Sequence, residues 1–109
     1  KQLISGAAFY NFGQQGKLGK YPIHFHMSGD HSSSVVSKNL VQNSKQRCYV
    51  IHGTDGVQVI DNVAYDTIGH CYMNENGVEE DIQFIGNLGA LTKKQPEERL
   101  IGESDHRAY

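Results

Sequence analysis

The chain has 109 residues, with 10 Lys or Arg against 12 Asp or Glu and a formal net charge of −2. That length bounds it to one domain at most, and with no run of either sign the charge pattern gives no reason to expect a nucleic-acid partner. No apolar stretch approaches the roughly 20 residues of a membrane-spanning helix, no signal peptide opens the chain, and its two cysteines define no disulfide framework.

In chain order, residues 1–12 read as the end of one unit and the start of the next. Residues 13–20 (GQQGKLGK) form a glycine-rich loop without the spacing or following helix of a phosphate-binding loop. Tyr21-Pro22-Ile23-His24-Phe25-His26 is β-prone, and its two histidines share one strand face because side chains alternate. Residues 29–34 are a polar turn. From Val36 to Gly77 the chain repeats itself. Residues 36–40 lie over 59–63 and residues 48–53 over 71–76, both at an offset of 23. Residues 84–88 open a further copy 25 positions on, and residues 8–12 an earlier one, placed 28 positions before Asn39. Beyond Leu91 the pattern gives way to a charged loop with a Pro stop over 92–99, and residues 100–109 are too mixed to assign. The division is therefore 1–91 for the repeats and 92–109 for a polar linker.

Each unit holds short β-prone runs broken by Gly, Asn and Asp, with no helical stripe. The expectation is an all-β chain, a parallel β-helix segment of about four coils, each strand pairing with its equivalent about 4.8 Å away. An antiparallel sandwich also fits short strands with regular turns, but two long segments matching in register favour the solenoid. Asn11, Asn39, Asn62 and Asn87 would form one column, bonding to one another and to turn carbonyls. The apolar residue after each (Phe12, Leu40, Val63, Leu88) would point inward. Cys48 and Cys71 would form another column, either within disulfide range or as buried thiols. Starting at Lys1 in mid-pattern and ending at Tyr109 without a cap, the chain reads as a piece of a longer one, with raw ends that neighbouring coils of the same parent would cover.

Aligned at the following turn, His26, His52 and Glu75 fall in one column, with His24 on the same face. Two or three His with a carboxylate suit a transition-metal or zinc site. They also suit acid–base chemistry, or simply hydrogen bonds to turn backbone. The opposite face carries Arg47, Tyr49, His70, Tyr72 and Asn74. Outward, it would be a strip able to stack on sugar rings and bind acidic carbohydrate, or only a solvated face. Cys48, Val50 and Met73 argue that their side is interior, whereas Ile23, Phe25 and Ile51 argue the reverse. Carboxylates gather at the turns (Asp30, Asp55, Glu75, Glu79, Glu80). They offer a glycosidase pair about 5–10 Å apart, calcium ligands, or solvated caps.

The phrase from Gly19 to Asp30 containing Tyr-Pro-Ile-His-Phe-His resembles the β-helix core of the cell-migration-inducing hyaluronidases. So do Val50-Ile51-His52-Gly53, Gly69-His70-Cys71-Tyr72, Glu75 and Gly77-Val78-Glu79-Glu80. The transmembrane cell-surface hyaluronidase and the fibrocystins share this core. The resemblance covers about residues 13–91, with a weaker match at 102–105. It implies a right-handed parallel β-helix, an extracellular or membrane-anchored parent with an eight-glycine domain, and hyaluronan binding and depolymerisation in the hyaluronidase branch. His24, His26, His52, His70 and Glu75 match the family pattern. The expected function is that of an extracellular, hyaluronidase-like segment binding or depolymerising hyaluronan or a related acidic glycan. In it His26, His52 and Glu75 are catalytic, while Arg47, Tyr49, His70, Tyr72 and Asn74 hold substrate. His24, His26, His52 and Glu75 would take a divalent ion, calcium or zinc. Membrane contact would come only through other parts of the parent. The alternative is a non-catalytic surface scaffold or receptor segment of fibrocystin type.

Overall fold

The computed structural model describes residues 1–102 and residue 105; part of the expected linker therefore lies outside the described residues. The chain is all-β. Its strands are β1 (Leu3–Ser5), β2 (Ala8–Tyr10), β3 (Ile23–Asp30), β4 (Val35–Ser37), β5 (Leu40–Gln42), β6 (Tyr49–Asp55), β7 (Gln58–Ile60), β8 (Val63–Ile68), β9 (Tyr72–Asn74), β10 (Gln83–Ile85) and β11 (Leu88–Lys93). Every third strand returns to the same sheet, giving the orders β1-β4-β7-β10, β11-β8-β5-β2 and β3-β6-β9. All pairs are parallel, and the offset of 23 is the register itself, with Val36 opposite Val59, Leu40 opposite Val63 and Tyr49 opposite Tyr72. An antiparallel sandwich is thereby excluded.

The shortest strands turn a single side chain inward. Val36, Val41 and Val59 are fully buried at their centres, while their neighbours face out; the longer β8 buries Ala64 and Thr67. Left-handed residues punctuate them in two columns, Gly6, Lys38, Asp61 and Gly86, then Asn11, Asn43, Asp66 and Leu91, with φ between 52° and 70°. Gly, Asn and Asp accept that conformation readily; Lys38 and Leu91 hold it at a cost of roughly 1–2 kcal/mol. Leu91 is thus a corner within β11, and strand pairing continues to Lys93. The charged loop after it contains a short 3₁₀ turn, Glu97–Arg99, which Pro96 precedes.

Asn39, Asn62 and Asn87 form the expected ladder. Asn39 Nδ2 donates to Asn62 Oδ1 at 3.0 Å and Asn62 Nδ2 to Asn87 Oδ1 at 3.0 Å. The same amides also donate to the carbonyls of Ile4, Val36 and Val59. Asn11 is not a rung. Register sets Ala8 opposite Leu40, so the first offset is 32 rather than 28; the longer 13–20 loop makes the difference. The Ala7 amide donates to Asn39 Oδ1 at 3.0 Å, and Asn11 pairs with Asn43 instead. The apolar residues after these asparagines also face outward, Phe12 and Leu88 being 51% and 57% exposed. For Leu40, Val63 and Leu88, which follow rungs that lie inside, alternation sends the side chain out.

In the third sheet the inward face carries Ile23, Phe25, Tyr49 and Ile51, all buried. The Tyr49 and Tyr72 rings stack at 5.0 Å and 9°. Their hydroxyls donate to the carbonyls of Asn39 and Val63, and of Asn62 and Leu88. The Cys48–Cys71 column is present as two free thiols, Cys48 donating to the Gln46 carbonyl at 3.9 Å and Cys71 Sγ lying 3.4 Å and 3.0 Å from the Thr67 and Thr92 hydroxyls.

Candidate functional site

The outer face of β3, β6 and β9 gathers the histidines. His26 lies opposite His52 in the β3–β6 register. Asn74 lies opposite Ile51, and the Glu75 amide donates to the Ile51 carbonyl at 2.9 Å, which brings Glu75 beside His52. His24, two residues before His26, joins them from the same face. The His24 and His26 ring centroids are 5.1 Å apart, His26 and His52 4.8 Å, and His24 and His52 6.5 Å. Beyond His26 the pairing shifts register before Gly29, with Met27 exposed at φ 50°. This irregularity borders the site, a common place for one.

Glu75 is held by one oxygen and offers the other. Its Oε1 accepts from Arg47 Nη1 at 3.1 Å and from the Tyr21 hydroxyl at 3.4 Å. Arg47 is buried, donates through Nη2 to the fully buried Asp105 Oδ1 at 2.9 Å and through Nη1 to the Tyr21 hydroxyl at 3.2 Å, and lies over the Tyr21 ring. Asp105 in turn accepts the Ile101 amide. Burial raises the Tyr21 phenol above its ordinary range, so it stays a donor. Glu75 Oε2 faces His24 Nε2 at 3.9 Å and His52 Nδ1 at 3.7 Å.

The protonation of His24 follows from its other nitrogen. Nδ1 lies 3.3 Å from the Gly19 carbonyl, which can only accept, so Nδ1 carries the proton. Burial lowers the His24 pKa and favours the neutral ring, leaving a lone pair on Nε2. Both His24 Nε2 and Glu75 Oε2 are buried without a hydrogen-bond partner. Two acceptors thus face one another across a small gap.

The remaining expected residues are placed differently. Tyr49 and Tyr72 belong to the interior stack, because Ile23, Phe25 and Ile51 set that face inward; they offer no outer strip to a sugar ring. Arg47 is committed to Glu75 and Asp105. His70 is half-buried, and its carbonyl accepts the Cys48 amide. Asn74 is exposed at the end of β9. His26 is exposed beside the cluster, outside the close set formed by His24, His52 and Glu75. Of the turn carboxylates, Asp30 bonds Ser32, Asp55 accepts the Glu80 amide, and Glu79 accepts the amides of Gly53 and Asn76. Tyr21 and Asp105 were not singled out by sequence. A lone Arg abutting the apolar run Cys48-Tyr49-Val50-Ile51 does signal a buried cation in need of partners, without naming them.

The chain matches the CEMIP beta-helix family over residues 1–107. It is 46% identical over 88 residues to a G8 domain-containing protein of Dictyostelium discoideum, covering 81% of this chain and 6% of that protein. It is 45% identical over 87 residues to Communication mutant protein F of the same organism, covering 80% and 8%. With the human Cell surface hyaluronidase CEMIP2 it shares 38% identity over 97 residues, covering 83% and 7%. The chain thus spans under a tenth of the length of these relatives. No solved structure matches it. The chain belongs to the CEMIP beta-helix family.

Proposed function

We propose that this chain is a right-handed parallel β-helix segment of about four coils that binds or depolymerises an acidic polysaccharide of the hyaluronan type. The contact would be on the outer face of β3, β6 and β9, in an extracellular or cell-surface setting. The observation that carries this reading is the convergence of His24, His52 and Glu75 beside the exposed His26 on the lateral face of β3, β6 and β9. Similarity to a protein named a cell surface hyaluronidase supports the substrate class. In this reading the exposed His26 is the group that moves protons, with His52 beside it. Glu75 serves as the carboxylate that Arg47 and Tyr21 hold in place. Arg47 acts through Glu75 rather than on the substrate.

The test is to incubate the longest natural form of the protein that carries this segment with high-molecular-weight hyaluronan and follow chain length on a gel. Shortening by the wild type, lost in His26→Ala while the fold is retained, is expected for the enzymatic form of the reading. Retention of hyaluronan without shortening, lost in the same variant, is expected for the binding form. A folded protein that neither retains nor shortens hyaluronan refutes both.

The buried Glu75–Arg47–Asp105 arrangement favours a second reading, a non-catalytic surface scaffold. It ties the end of β9 to the segment before β6 and to the C-terminal stretch. Here His24→Ala and His52→Ala would lower stability and change no activity.

A further inference from the structure

We infer that His24 Nε2, His52 Nδ1 and Glu75 Oε2 are the protein ligands of a divalent transition-metal ion of the zinc class. The three atoms lie within 4.8 Å of one another, with Oε2 at 3.9 Å and 3.7 Å from the two nitrogens. Around a tetrahedral ion with ligands at 2.0–2.1 Å, neighbouring ligand atoms are roughly 3.4 Å apart, so Glu75 Oε2 needs to close by a few tenths of an ångström on each nitrogen, and the two imidazoles by at most about 1.4 Å on each other. His24 already presents a lone pair, because its Nδ1 proton is directed to the Gly19 carbonyl. Glu75 presents its second oxygen, because Arg47 and Tyr21 occupy the first. These are the outer contacts that orient imidazole and carboxylate ligands in metal sites. A cation between them would satisfy both buried acceptors, His24 Nε2 and Glu75 Oε2, at once.

The donor set narrows the choice of ion. Calcium takes six to eight oxygen ligands, whereas two imidazole nitrogens and one carboxylate oxygen are the set of a catalytic zinc site with an open position. The site's charge adds a reason, resting on the polysaccharide reading. Among the described residues, the carboxylates of Glu75 and Asp105 outweigh the Arg47 guanidinium by one negative charge, which repels a polyanion. A divalent ion reverses that sign and gives a uronate carboxylate of the glycan a partner.

The experiment uses the 109-residue chain and Zn²⁺ alone, read by competition with a chromophoric zinc indicator and by X-ray absorption at the zinc edge. One Zn²⁺ per chain is expected, held by nitrogen and oxygen neighbours including two imidazoles. The affinity should fall at least ~10-fold in His52→Ala, hold in His31→Ala, and resist millimolar Ca²⁺. A folded chain that binds no Zn²⁺ at about 100 μM overturns the inference, as does displacement by Ca²⁺ or sulfur scattering from the Cys48–Cys71 pair. Should His52→Ala fail to fold, the wild-type absorption spectrum decides alone. Zinc bound in this way with no effect on hyaluronan leaves the metal site standing and removes the polysaccharide reading. Hyaluronan cleavage by a protein that binds no zinc does the reverse.

Discussion

Replacing Asn62 by Ala removes the middle rung of the interior ladder, and the cost follows from what it leaves behind. Asn62 is fully buried; its Oδ1 accepts the Asn39 amide and Nδ2, and its Nδ2 donates to the Val36 carbonyl and to Asn87 Oδ1. After truncation Asn39 Nδ2 keeps Ile4 and Asn87 Oδ1 keeps the Asn62 amide. The buried Asn39 amide and Val36 carbonyl lose the partners that Asn62 gave them. At about 1–3 kcal/mol per buried group left unsatisfied, the variant should lose about 3–5 kcal/mol, a large share of the 5–15 kcal/mol typical of a folded domain. Urea unfolding followed by far-UV circular dichroism measures it, with Gln58→Ala as the control. Gln58 also bonds its counterpart in the next repeat, Gln83, but at the exposed surface, and its loss should stay within about 0.5 kcal/mol. If Asn62→Ala costs less than about 1 kcal/mol, or no more than the control, the ladder is not what holds the repeats in register.

Other outcomes follow from equally local features. Gly56→Ala should cost about 3 kcal/mol, because its Cβ would fall 2.5 Å from Ser32 Cα at φ 74°. Gly77→Ala, at φ 71° with open space around it, should cost only about 1 kcal/mol in the same unfolding assay. Tyr49→Phe should cost about 1 kcal/mol, because the Val63 carbonyl loses the hydroxyl while the Asn39 carbonyl keeps the Val63 amide, with ring stacking retained in near-UV spectra. The neighbouring Cys48 thiol, with the Thr67 and Thr92 hydroxyls, lowers the Cys71 pKa to about 6, while the Cys71 sulfur and burial push Cys48 up. Native-state alkylation should therefore mark Cys71 with a midpoint near pH 6 and spare Cys48. Between pH 6 and 9 the unfolded chain holds the proton that folded Cys71 has released, so stability should rise with pH. Above the ordinary thiol range it should fall, because folded Cys48 keeps a proton that the unfolded chain loses. A flat urea midpoint from pH 5.5 to 8 would refute the thiol pairing.

The repeat was legible because a parallel ladder copies its register into the sequence, and the offset of 23 is the spacing between paired strands. The earlier copy was misaligned because loop 13–20 lengthens the first unit, and the Asn11-Phe12 pair imitates a ladder rung. The inward face of the third sheet was illegible because Val50 and Ile51, on opposite faces of β6, are both fully buried. Burial on both faces erases the period-2 pattern that distinguishes them. The His26–His52–Glu75 column could be read from offsets alone. That His24 rather than His26 meets Glu75 depends on where the side chains point, which spacing does not encode. Asp105, 58 residues from Arg47, left no local signal at all.

The most direct measurement is an NMR titration of the 109-residue chain with a hyaluronan hexasaccharide in the presence of Zn²⁺, following the histidine ring resonances. The ring signals of His26 and His52 should shift and saturate together. His31, packed on Phe25 and bonded to Ser34, should stay in place. Saturating hexasaccharide that leaves His26 and His52 unmoved, or that moves His31 instead, would contradict an acidic-glycan site on the face of β3, β6 and β9.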